Sequence, residues 1–114
     1  MKYTNQSLFN KVSKHLLTQN KRSKLTKDLC AYKSKNGLEC AAGCLIPIKL
    51  YSMEFEGKIW DDIIRMEPKL KKMFSCEQHA IIDSLQYIHD SYLPSEWKSE
   101  LKDCAYENKL KFNY

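Results

Sequence analysis

The chain has 114 residues, a formal net charge of +5 and five cysteines. That length fits one domain that buries a core without disulfide or metal staples. No run of about 18 apolar residues occurs, so no membrane span is expected, and "MKYTNQSLFNKVSKHLL" lacks the apolar stretch of a secretory signal. We therefore expect a cytoplasmic protein with reduced thiols, and the odd cysteine count argues against a closed disulfide framework.

Charge is uneven along the chain. Residues 1–36 hold nine basic side chains, from Lys2 to Lys35, against the single acid Asp28, a net of +8, which leaves −3 for the rest. A basic front on a mildly acidic body points to an anionic partner.

In chain order, Leu8, Phe9, Val12, Leu16 and Leu17 fall at helical spacing, with Thr4, Asn5 or Ser7 as cap. "TQNKRSKLTKD" breaks that pattern and reads as a basic loop. "LCAYKS" and "LECAAGCLI" flank Asn36-Gly37, the signature of a type I′ β-hairpin. On such a hairpin Cys30 and Tyr32 share a face with Cys40 and Ala42, Gly43 marks a bulge or close backbone approach, and Pro47 ends the second strand. After the connector "IKLYSMEFEGK", Ile59, Trp60, Ile63 and Ile64 predict a helix that Pro68 breaks or restarts. Ser75 and Gln78 form a capping box for a helix carrying Ile81, Ile82, Leu85, Ile88 and His89. Pro94 opens a last helix whose inner face is Trp97, Leu101, Cys104 and Ala105. The short link between these two helices predicts a helical hairpin. The expected architecture is α+β: one domain over residues 1–114, a small antiparallel β-hairpin packed on about four helices, with Trp60 and Trp97 as buried anchors.

Chemical motifs are sparse. Cys40-x3-Cys44 and Cys76-x2-His79 have zinc-like spacing. Residues four apart on a strand, however, stand about 13 Å from each other, and cysteine is commonly a small buried residue. No HExxH, Walker A, GxGxxG or GxSxG occurs. The reading is no cofactor, no metal and no catalytic residue, with a small zinc or thiol enzyme as the third-ranked alternative.

The residues Cys30, Tyr32, Gly37, Cys40, Ala41, Gly43, Leu45, Ile46, Pro47, Tyr51, Glu56 and Gly57, followed by Leu85, Ile88, His89, Asp90 and Trp97, make a pattern. It resembles that of a family of small, largely uncharacterised proteins of tailed phages and bacteria. Lys33 and Ile48 depart from it, standing where arginine and aspartate are common. The resemblance implies a phage or prophage setting and no activity.

The leading expectation is a non-enzymatic phage-type accessory protein that binds and modulates an acidic host protein, inhibition being the foremost mode, with a defence or transcription component as an example. The alternative is binding of nucleic acid or a nucleotide through the basic N-terminal third. The expected partner surface joins the loop "NKRSK" to the hairpin tip "KSKNG", with Lys21, Arg22, Lys24, Lys33 and Lys35 around Tyr32 as aromatic anchor. No membrane contact is expected, and oligomeric state stays open.

Overall fold

Thr4 caps the first helix through a reciprocal pair with Ser7: the Thr4 hydroxyl accepts the Ser7 N–H, and the Ser7 hydroxyl accepts the Thr4 N–H. The computed structural model describes residues 3–27 and 29–114; Lys2 and Asp28, which enter the charge count above, lie outside the described residues. The helices are α1 (Asn5–Gln19), α2 (Trp60–Met66), α3 (Pro68–Lys72), α4 (Cys76–Ser91) and α5 (Pro94–Glu107). Ser75 and Gln78 form the expected capping box at α4, and Pro94 sits in the first turn of α5. Pro68 restarts the chain as α3 after α2 ends. None of the described helices is long and apolar enough to cross a membrane.

The core lies where three of these helices meet. Leu8, Phe9, Val12 and Leu16 of α1 face Ile81, Ile82, Leu85 and Ile88 of α4 and Trp97 and Leu101 of α5, all buried. Trp97 is fully buried, stacks on His89 at 5.4 Å and donates its indole N–H to the Tyr92 carbonyl at 3.0 Å. Trp60, also buried, donates to His79 Nδ1 at 2.9 Å.

The expected α+β class is overturned: among the described residues the fold is all-helical, with no β-strand. Residues 20–27 and 29–42 form loops joined by two isolated antiparallel bridges, Lys24 with Cys30 and Lys33 with Glu39. The turn differs from type I′. Its central residues are Lys35 and Asn36, and Gly37 follows in the left-handed region at φ +86°, as in a three-residue connection. The ladder stops because the next donor toward the opposite arm, the Tyr32 N–H, has another acceptor, and the outward Lys33 N–H shares it. The Tyr32 and Lys33 amides donate to the two carboxylate oxygens of Glu56, at 2.8 and 3.2 Å. Past the turn, Cys40, Ala41 and Ala42 are buried consecutively instead of alternating, and the chain enters a 3-10 turn at Gly43–Leu45. Two more such turns, Ile48–Leu50 and Met53–Phe55, build the connector.

Gly43 is a close-approach position: a Cβ there would stand 1.9 Å from the Tyr32 carbonyl oxygen. Gly43→Ala should therefore displace the 30–44 loop. Trp97→Ala should cost about 3–5 kcal/mol in a denaturant titration. An unchanged midpoint for the Trp97 variant would contradict the packing described.

Candidate functional site

Glu56 is the centre of the non-helical half. Besides the Tyr32 and Lys33 amides it accepts the Tyr51 hydroxyl, so one carboxylate joins the residue 30–33 arm to the connector. The Tyr32 hydroxyl donates to the Lys58 carbonyl at 2.6 Å. On the other side Ser23 is fully buried; its N–H donates to His89 Nε2 at 3.1 Å and its hydroxyl to the Leu38 carbonyl at 3.1 Å.

This scaffold sorts the six residues expected at the partner surface. Lys21, Lys24 and Lys35 are exposed. Arg22 is half-buried and donates through Nη2 to the Tyr92 carbonyl at 2.7 Å. It binds the C-terminal end of α4, a favourable place for a cation. Lys33 pairs with Glu39, donates to the Gly43 carbonyl at 3.0 Å and lies 6.0 Å from the Tyr51 ring centre. Tyr32 is buried, so its ring serves the core and does not stand ready as an exposed anchor.

Lys24 and Lys35 come together across a groove of about 600 Å³, along with Lys33. Its apolar surface comes from residues the sequence did not single out: Leu25, Ile48 and Met53, which are 42, 78 and 66 % exposed. Tyr51 and Glu56 complete the lining. Glu56 keeps its negative charge while its oxygens accept two amides and a hydroxyl, and Lys24, Lys33 and Lys35 bring three positive charges to the same lining. Leu29 and Ile59, also exposed, line a second cleft of about 290 Å³ with Cys30 and Asp90. The apolar residues of the connector have no helical or alternating period. Their exposure was therefore invisible to pattern reading.

Four of the five thiols are poor nucleophiles. Burial, reinforced by the nearby Asp90 carboxylate, pushes Cys30 up to about 12. Burial likewise pushes Cys44 up to about 12 and Cys104 to about 11, and raises Cys40 well above its ordinary value. At neutral pH these four are thiols, and the thiolate is the reactive form. Cys40, Cys44, Cys76 and His79 do not converge as a metal set. His79 uses Nδ1 on Trp60 and Nε2 on the Lys71 carbonyl, at 2.9 and 3.0 Å.

Among the described residues the ligand atoms that do converge, within 4.8 Å, belong to Cys30, His89 and Asp90. A backbone N–H can only donate, so His89 Nε2 holds a lone pair toward Ser23 and the ring proton sits on Nδ1, 2.8 Å from Asp90 Oδ1. Neither ring nitrogen then has a lone pair for a metal. Asp90 also accepts the Gln86 side chain at 2.8 Å. Burial raises its carboxyl, but the hydrogen bonds from His89, Cys30 and Gln86 outweigh that and hold it below its ordinary value. The trio is a hydrogen-bonded junction. No family model, curated protein or solved structure matches the chain, so the resemblance drawn from the Cys30–Pro47 motif gains no support from comparison.

Two outcomes follow for the thiols. Brief iodoacetamide treatment of the native protein should label exposed Cys76 first and leave Cys40 and Cys104 for the unfolded chain. Native mass spectrometry after zinc addition should show no stoichiometric adduct, and a tight one-to-one zinc complex would overturn the junction reading.

Proposed function

We propose that this chain is a non-enzymatic binding protein whose groove takes an acidic, amphipathic segment of a protein partner and modulates that partner. The observation that carries the reading is an exposed apolar surface, Leu25, Ile48 and Met53, rimmed by the lysines Lys24 and Lys35. Exposed apolar patches with polar rims mark interaction sites. Clustered positive charge steers an acidic partner onto them and selects against basic ones. Lysine presents a point charge without the bidentate fork of arginine, which suits carboxylates distributed along a peptide better than a specific phosphate or base contact. The wider setting, a phage-type accessory protein acting on a host factor, belongs to the same proposal and rests on the Cys30–Pro47 motif alone.

The test uses two fluorescent probes of equal charge, a peptide alternating Glu and Leu and a single-stranded oligonucleotide. The peptide should bind wild type. Lys24→Glu combined with Lys35→Glu, and separately Met53→Asp, should each weaken it at least about tenfold with the melting temperature nearly unchanged. Reversal of Lys21 should weaken it less, since Lys21 lies outside the groove lining. Oligonucleotide binding that is tighter than peptide binding, insensitive to Met53→Asp and steeply salt-dependent would favour the nucleic-acid alternative. No peptide binding by the folded wild type would refute the proposal.

A further inference from the structure

One wall of the groove is attached to the helices by polar contacts alone. Residues 20–27 contribute one apolar side chain, Leu25, and it is exposed. Among the bonds that hold this wall are Gln19 Nε2 on the Lys21 carbonyl at 2.7 Å, Arg22 on the Tyr92 carbonyl, Ser23 N–H on His89 Nε2 and the Ser23 hydroxyl on the Leu38 carbonyl. Within it, the Ala31 N–H donates to the Ser23 carbonyl at 2.9 Å. We propose that His89 is a pH-sensitive latch on the groove: protonation of its Nε2 releases the residue 20–27 wall and weakens the hold on an acidic partner. The inference rests on the groove reading for its binding consequence, but not for the latch itself.

The His89 ring is fully buried, with Trp97 stacked on one face. Its Nδ1–H is already committed to Asp90. A second proton on Nε2 sets two N–H groups against each other across 3.1 Å. Burial of the ring opposes a second charge and the Asp90 carboxylate at 2.8 Å favours it; once the ring carries both protons, the Ser23 N–H has no acceptor there. The Ser23 side gives way. Arg22 lowers the resistance further: its buried Nε has no hydrogen-bond partner while the wall is docked, and water supplies one on release.

The surroundings are mixed in charge. Asp90 and Tyr92 come from α4 and its end, Cys30 and Arg22 from the loop, with Lys24 close enough to act on Cys30, and α5 contributes the neutral indole of Trp97. Asp90 does not confuse the signal. Its carboxyl lies below the ordinary value, so its contribution to stability is complete above that value and is lost only as pH falls through the lowered one. Imidazole is the side chain that changes charge between about pH 5 and 8; the lysines of the rim keep theirs.

The test follows amide exchange at Ser23 and Ala31 in the wild-type protein at about pH 7.5 and 5.5, corrected for intrinsic rates, beside Glu-Leu peptide affinity at the same two pH values. Protection at Ser23 and Ala31 should fall at least about tenfold at the lower pH while the Leu85 amide of α4 keeps its own. His89→Gln, which does not titrate, should show no such fall, and peptide affinity should lose its pH dependence in step. If that variant does not fold, nitrogen chemical shifts of His89 in the wild type serve instead: they should report an Nδ1–H tautomer at the higher pH and imidazolium at the lower, in register with Ser23 exchange. Unchanged Ser23 protection in the wild type overturns the latch. Ser23 release in a protein that binds no peptide at either pH leaves the latch standing and refutes the groove instead.

Discussion

The non-helical half of this protein depends on one carboxylate. Glu56 accepts the Tyr32 and Lys33 amides and the Tyr51 hydroxyl, so a side chain stands where a neighbouring strand would otherwise be. Hydrogen bonds to a charged acceptor are worth about 1.5–3 kcal/mol each. The alternative for these amides is a part-buried donor without a partner. The clamp fixes the residue 30–33 arm, and with it the Tyr32 carbonyl. That carbonyl receives the Cys40 N–H at 3.3 Å and crowds Gly43 so closely that no side chain fits there. The same clamp sets the groove, because Lys33, Tyr51 and Glu56 all line it.

The rest of the loop region is built in the same manner. Polar side chains join the buried Tyr32, Cys40, Ala42, Leu45 and Phe55 in attaching it to the helical core. Gln86 of α4 accepts the Ala42 N–H at 2.9 Å and donates to Asp90, which holds the His89 ring toward Ser23. Gln19 of α1 donates to the Glu39 carbonyl at 2.9 Å and accepts the Glu39 N–H at 3.0 Å. Residues 20–27 bury no apolar side chain, so this part opens locally when such a bond is lost, because little apolar burial resists the opening. Such a region suits a binding surface that responds to conditions. Cys30, Cys40 and Cys44 contribute bulk: small side chains admit the loop to the helical layer, and burial keeps their protons on.

The helices were legible because their signals are local. Leu8 to Leu16 and Ile81 to Ile88 keep a helical period, and Thr4, Ser75 and Pro94 mark starts that the structure keeps. The hairpin was misread for a physical reason. Asn36-Gly37 signals a turn correctly, but a longer ladder needs the Tyr32 N–H, and Glu56, some twenty residues from the turn, takes it. No window around the turn contains that information. The basic surface was half legible for the same reason: exposure could be expected for Lys21, Lys24 and Lys35, while the bonds of Arg22 to Tyr92 and of Lys33 to Glu39 and Gly43 join residues distant in sequence. Ile48 and Met53, in a connector without periodicity, carried no sequence signal of the groove they line.

The central claim is that a single side-chain carboxylate replaces a strand. It is tested most directly by nuclear magnetic resonance detection of scalar coupling across hydrogen bonds in uniformly labelled protein. The account predicts that the amide nitrogens of Tyr32 and Lys33 both correlate with the Cδ carbon of Glu56. Correlation of those two amides with backbone carbonyls instead, as in a paired strand, would contradict it.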